Sequence, residues 1–211
     1  MPLRSVALVA LLFLVACSRA PDAGERPGPD GESAAAPEAL DSTSVAKGLV
    51  PDAFEVPRAV EGTGFRLVPL GPEVVQIDYD AYMSSIEHLQ RTFTRSTAWP
   101  TADLDAEDAM ADMENEQRRF EARESFAYAV LTPDGLRERG CVYVRPSPKA
   151  GFDAMVRLWV TQAEFDAGFD VELEAWAREW IAGAWPFERV AWPGRSISWE
   201  AWDAMPDAVA D

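Results

Sequence analysis

Two thiols, one imidazole and thirty-six carboxylates are the side chains from which this 211-residue sequence could build chemistry. His88 is the sole histidine, and no Gly-x-Ser-x-Gly nucleophile elbow occurs, so a Ser-His-Asp hydrolase has no support. On the flank of an amphipathic helix, His88 is expected to be a partly exposed surface residue. One His and one unmodified Cys fall short of the usual zinc sets. The carboxylates from Asp103 to Glu116 lack the glycine and spacing of a calcium-binding loop. No metal site is therefore expected. Cys141 lies in the apolar run Gly140-Cys-Val-Tyr-Val144 and reads as a small buried hydrophobe on a strand. A catalytic thiol would want a basic neighbour to form thiolate, and the only His is far away in sequence. No residue can be assigned as catalytic acid or base.

The other thiol, Cys17, follows eleven uninterrupted apolar residues, Val6 to Ala16, with Arg4 before them. That stretch is too short for a spanning helix of roughly 20 residues and fits the core of an export signal. Leu14-Val15-Ala16-Cys17 resembles a bacterial lipobox. The resemblance implies removal of residues 1–16 and lipidation of Cys17, which would hold the chain to a membrane through its acyl chains. Ser18, rather than Asp, after the Cys implies delivery to the outer membrane of a Gram-negative envelope. With Cys17 lipidated, Cys141 has no partner for an internal disulfide.

Residues 17–64 are rich in Pro, Gly, Ala, Ser and acidic residues and are expected to form a disordered tether after the lipidated Cys. Residues 65–211 then form one domain, long enough for a single continuous core. This stretch holds 27 acidic against 14 basic residues, a net charge of −13. So acidic a surface repels nucleic acid, which is excluded as a partner.

The elements that must position any site follow from periodicity. Phe65 to Leu70 alternates and ends at Gly71-Pro72, a first strand. Tyr79, Tyr82, Met83, Ile86, Leu89 and Phe93 recur at helical spacing and predict one amphipathic helix. A second helix begins at Asp105, which can cap, with Asp108 three residues on. Three strands follow, Phe126 to Leu131, Glu138 to Arg145 and Met155 to Thr161, joined by turn-forming segments that make them antiparallel neighbours. A third helix runs from about Asp170 to Ala182, and Arg189 to Pro193 is a last strand. The order predicts an α/β (α+β) domain: a mixed, mostly antiparallel sheet with helices on both faces.

That order, with Phe126-Ala-Tyr-Ala-Val-Leu131, Gly140-Cys-Val-Tyr-Val144 and Trp185-Pro-Phe-Glu-Arg-Val190, resembles the GNAT family of N-acetyltransferases from Phe65 to about Arg195. The resemblance implies that acetyl-CoA or another acyl-CoA binds the loop between the fourth strand and the third helix, through backbone N–H groups at a helix N-terminus. In that loop Gln162 and Ala167 match the family pattern, and Val160 and Gly168 flank it; these four are the cofactor-binding residues the resemblance implies. Phe165 stands where the family has its first Gly, and a Cβ and ring there obstruct close approach of a phosphate. Glu164, Asp166, Asp170 and Glu172 would compete for the same helix end. Only eighteen residues follow Pro193, so the family's closing helix and strands are expected to be missing.

Six of the eight Trp lie between Trp176 and Trp202. Trp176 and Trp180 fall on one helix face and read as core. Trp185, Trp192, Trp199 and Trp202 are less periodic and either line an aromatic cleft, with Tyr143, or pack a tail over the sheet. Two functions stay open: acyl-CoA-dependent N-acyltransfer with a degenerate cofactor loop, or a non-catalytic envelope module that binds an unidentified small molecule, peptide or glycan.

Overall fold

The computed structural model describes residues 48–209. The export signal, Cys17 and the first part of the expected tether lie outside the described residues. Within them, six strands stand in the sheet in chain order. These are β1 (Val60–Gly62), β2 (Phe65–Pro69), β3 (Phe126–Leu131), β4 (Glu138–Arg145), β5 (Ala154–Val160) and β6 (Val190–Ala191). All pairs are antiparallel except β5 with β6, which is parallel. The mixed, mostly antiparallel sheet expected from the sequence is therefore present.

Alternation along the central strands feeds two cores. Phe126, Tyr128 and Val130 face one side, where α5 (Phe169–Ala184) lays down Phe169, Leu173, Ala177 and Ile181. Ala127, Ala129 and Leu131 face the other, under α1 (Val75–Met83), α2 (Ile86–Leu89) and α3 (Ala106–Glu121). Small residues on that face let the helices approach closely. Helices thus cover both faces, as expected.

The start of α3 is set by a reciprocal cap. Asp105 accepts from the N–H groups of Glu107 and Asp108 at 2.8 and 3.1 Å, and Asp108 accepts from the Asp105 N–H at 3.2 Å. The predicted first helix is instead broken. It stops at Met83, where the Ser84 hydroxyl donates to the Ala81 carbonyl at 2.7 Å, and resumes as α2 followed by a π turn at Gln90–Thr94. This turn carries Phe93 down onto the sheet, stacked on Tyr143 with ring centroids 5.6 Å apart.

The domain also begins earlier than residue 65. Val50 is buried, and Leu49, Phe54, Val56 and Val60 pack on the α5-side core. Arg123 donates to the carbonyls of Pro51 and Phe54, the Tyr128 hydroxyl donates to Pro57, and β1 pairs with β2. Residues 48–64 are thus part of the domain rather than of a tether: the apolar residues spaced among their Gly and Pro find a surface to bury against. At the other end the tail folds back. In α6 (Trp199–Ala204), Trp202 is buried with its ring 6.0 Å from that of Phe152.

Candidate functional site

The parallel strand β6 is two residues long and pairs with β5 only at Ala154 and Met155. Beyond Ala191 the chain turns away through Trp192-Pro193-Gly194, and Pro193 has no N–H to extend the ladder. The rest of β5 is left without a strand on that edge. A cleft of about 280 Å³ opens there, running from the α2 side of the sheet to the α5 side. Its volume falls just below the roughly 300–1,000 Å³ typical of small-molecule sites.

The most unusual group in this cleft is Arg157. Strand alternation places it on the α1–α3 face with Trp159, between the α5-facing Val156 and Leu158. Its guanidinium lies 4.2 Å from the centre of the Phe93 ring and 5.2 Å from that of Trp199, and it donates to the Phe93 carbonyl. Among the described residues no carboxylate is ion-paired with it, although the domain is strongly acidic. Burial, then the like charge of Arg145, push its pKa down to about 10, so it keeps its charge at neutral pH. Trp199 is also covered by Arg95 at 4.5 Å, which is anchored to Asp203 at 2.9 Å. The cleft wall is therefore a cation stacked between aromatic rings.

His88 faces the same cleft from α2 and is buried, not a partly exposed surface residue as its helix position suggested. Its Nδ1 has no hydrogen-bond partner, and its ring lies 5.0 Å from that of Phe165. Burial, followed by the charge of Arg91, lowers its pKa, and Asp170 opposes this only in part. The ring is neutral at pH 7.

The segment that the family resemblance assigns to coenzyme A is a short helix, α4 (Gln162–Asp166), not a loop. Thr161 caps it, accepting from the Glu164 N–H. Several other amides of the segment also have partners: Gln162 N–H donates to Ser85 Oγ at 2.9 Å, Phe165 to Thr161, Ala167 to Ala163 and Gly168 to Phe165. Glu164 is buried and tied to Arg137 at 2.7 Å and to Arg139 at 2.6 Å. At the first turn of α5, Arg195 holds the Asp170 carboxylate through two bonds. Such a segment suits a coenzyme A pyrophosphate poorly, because most of the α4 N–H groups are paired and a carboxylate, Asp170, stands in the first turn of α5.

Of the four residues the resemblance proposed, only Val160 lines the cleft. The Gln162 side chain turns to Asp166 at 2.8 Å, and Ala167 and Gly168 sit exposed at the α4–α5 corner, with Gly168 at φ +85°. Tyr143 does not line the cleft either. It is buried under Phe93 and accepts from Trp159 Nε1 at 3.2 Å. Trp192 and Trp199 do line it, whereas Trp185 and Trp202 belong to the core. Sequence reasoning missed Arg157; its signal was a lone cation in an apolar strand.

No family model and no curated protein matches the chain. Solved structures do, several acetyltransferases among them. The ribosomal-protein-S5-alanine acetyltransferase from Vibrio fischeri aligns at 11% identity and a TM-score of 0.45, over 58% of this chain and 66% of that one. The ribosomal L7/L12 α-N-protein acetyltransferase RimL in complex with coenzyme A aligns at 14% and 0.47, over 60% and 70%. The microcin C7 self-immunity acetyltransferase MccE with acetyl-CoA and AMP aligns at 13% and 0.43, over 62% and 71%. The chain spans just under two thirds of the V. fischeri structure and of a putative ribosomal-protein-serine acetyltransferase from Vibrio cholerae, at 66% and 65%. At these identities and scores they carry neither an activity nor a ligand to this chain. The class defined by the chain's own geometry is a mixed α+β domain with a cleft between splayed parallel strands.

Proposed function

We propose that this chain is an envelope protein, held to the outer membrane through lipidated Cys17, whose domain binds a small anionic ligand in the cleft between β5 and β6. One observation carries the ligand class: Arg157, a charged guanidinium stacked on Phe93 with no carboxylate partner, in a cleft sized for a metabolite. A half-buried charge without a counterion costs folding energy that an anion would return. The aromatic walls favour a ligand with a planar or apolar body beside its charge. Lipid anchorage rests on the Leu14–Cys17 run.

Acyl transfer is the second reading, and His88 favours it. The imidazole is neutral and its buried Nδ1 has no partner, the protonation state that a general base requires. Transfer from acyl-CoA also needs a phosphate site, which α4 and the Asp170–Arg195 pair do not offer.

A thermal-shift screen of the chain against small carboxylates and phosphates, with acetyl-CoA alongside, separates the two. The expected result is a concentration-dependent rise with one class of small anion, absent in Arg157→Met, and no response to acetyl-CoA. Micromolar binding of acetyl-CoA by the unmodified chain would replace the binding-module reading with acyl transfer. Because most α4 amides are already paired and Asp170 stands at the start of α5, Phe165→Gly is not expected to create coenzyme binding.

A further inference from the structure

A second site lies on the opposite side of β4 from the α5 core. A register shift in the β3–β4 ladder pairs Val130 with Gly140 but Leu131 with Glu138, so Arg139 is the extra residue. The bulge reverses the side on which Glu138 would otherwise point. Arg139 goes to the α5 side, where it meets Glu164 and lies over the Phe169 ring, while Glu138 goes under α1 beside Cys141. Asp78, from the first turn of α1, completes the group. One ligand atom from each of Asp78, Glu138 and Cys141 lies within 4.8 Å of the others, and all three residues are buried.

No cation compensates these three acids; among the described residues no Lys or Arg is ion-paired with Asp78 or Glu138. Cys141 Sγ is 3.0 Å from Glu138 Oε1 and 3.5 Å from Asp78 Oδ1. A second feature is that Glu138 Oε2 is buried with no donor side chain or amide to partner it, on a residue only 2% exposed; the Asp78 carboxyl can bond to Glu138 only through a shared proton. A third is a way in. A cavity of about 320 Å³ between the end of α1 and the start of α4, lined by Ala81, Ser84, Arg137 and Thr161, reaches Glu138.

We infer that Asp78, Glu138 and Cys141 form a binding site for a thiophilic divalent cation of the zinc class, with water from the adjoining cavity as the remaining ligand. One thiolate and two carboxylates suit such an ion better than calcium or magnesium, which take oxygen ligands only. Metal–sulfur and metal–oxygen bonds of about 2.3 and 2.0–2.2 Å in a tetrahedron separate sulfur from oxygen by roughly 3.5 Å. The Asp78 edge already has that length, and the Glu138 edge has to open by about half an ångström. Coordination needs the Cys141 thiolate, so binding displaces at least the thiol proton to solvent.

The test uses the full chain carrying Cys17→Ser, so that Cys141 is the only thiol. After chelation it is titrated with Cd²⁺ and Zn²⁺, with Ca²⁺ as control. The expected result is a sulfur-to-cadmium charge-transfer band that saturates at one equivalent, Zn²⁺ displacing Cd²⁺, and a rise in thermal midpoint that Ca²⁺ does not give. Glu138→Gln and the near-isosteric Cys141→Ser weaken binding by more than the roughly ten- to hundredfold cost of losing an outer-sphere partner. No band in the unsubstituted site, or tight binding that survives both substitutions, would overturn the inference: the cluster would then be a proton-sharing acid pair, or the metal would sit on the acidic surface.

Discussion

Arg195 grips Asp170 with two parallel bonds, Nη1 to Oδ2 at 2.6 Å and Nη2 to Oδ1 at 2.7 Å, and so ties the turn after β6 to the first turn of α5. A bidentate pair of this kind fixes orientation as well as charge. Glu174, one turn further along α5, adds a third bond to the same guanidinium at 3.2 Å. Arg195→Ala leaves the buried Asp170 without its partner. The expected loss is about 2–3 kcal/mol, less than the roughly 3–5 of a fully buried pair because a quarter of the Arg195 side chain reaches solvent. Urea unfolding measures it, and a loss under about 0.5 kcal/mol would mean the grip is ornamental.

Arg157 tests whether charge or shape recruits the anion. Arg157→Lys keeps the charge but not the planar stack on Phe93, and should retain weak anion binding; Arg157→Met should abolish it. Since Arg157 has no ion pair to lose, neither change should cost much stability. Titration of the three proteins with the anion found by thermal shift decides, and equal binding by Met and Arg would remove the cleft from consideration.

His88 gives a pH dependence of known sign. Its pKa is lowered on folding, so the unfolded chain takes up the proton first as pH falls. Its contribution is therefore unchanged above about 6.5 and turns destabilising as pH drops from there toward the folded-state value. Comparing unfolding at pH 7.5 and 5.5 for the wild type and His88→Gln isolates it, because the chain has no other histidine and the carboxylates are common to both. A wild-type slope no steeper than the variant's would show that the ring is solvated.

Asp105→Ala removes a cap that satisfies two amides of α3 and is expected to cost about 1 kcal/mol. Asp105→Asn should restore most of it. Thermal unfolding of the two variants separates capping from the charge of Asp105.

These outcomes differ in how far the residues themselves announced them. The strands at 126–131 and 138–145 and the start of α3 could be read to the residue, because local chemistry marks their ends: Asp134 accepts from the Leu136 N–H in the turn, and Asp105 caps. The break at Ser84-Ser85 could not, since apolar periodicity runs straight through it. What decides there is a long-range contact, the Ser85 hydroxyl accepting from the Gln162 amide. The same holds for residues 48–64, whose composition is that of a linker until Val50 and Phe54 meet the core. At the cleft, the aromatic content was legible and the cation was not; at the acid cluster, nothing in the spacing of Asp78, Glu138 and Cys141 hints that a bulge turns Glu138 inward.

The six strands stand side by side in the order in which they are synthesised. Each new strand therefore meets a partner already waiting at the growing edge, and none has to be threaded between two earlier ones. Such sequential pairing keeps loop closures short apart from the helical connections between β2 and β3 and between β5 and β6, and favours rapid assembly. A chain that emerges N-terminus first, from a ribosome or from a membrane channel, can lay down this sheet as it comes, and the cleft at its far edge is the last thing to be made.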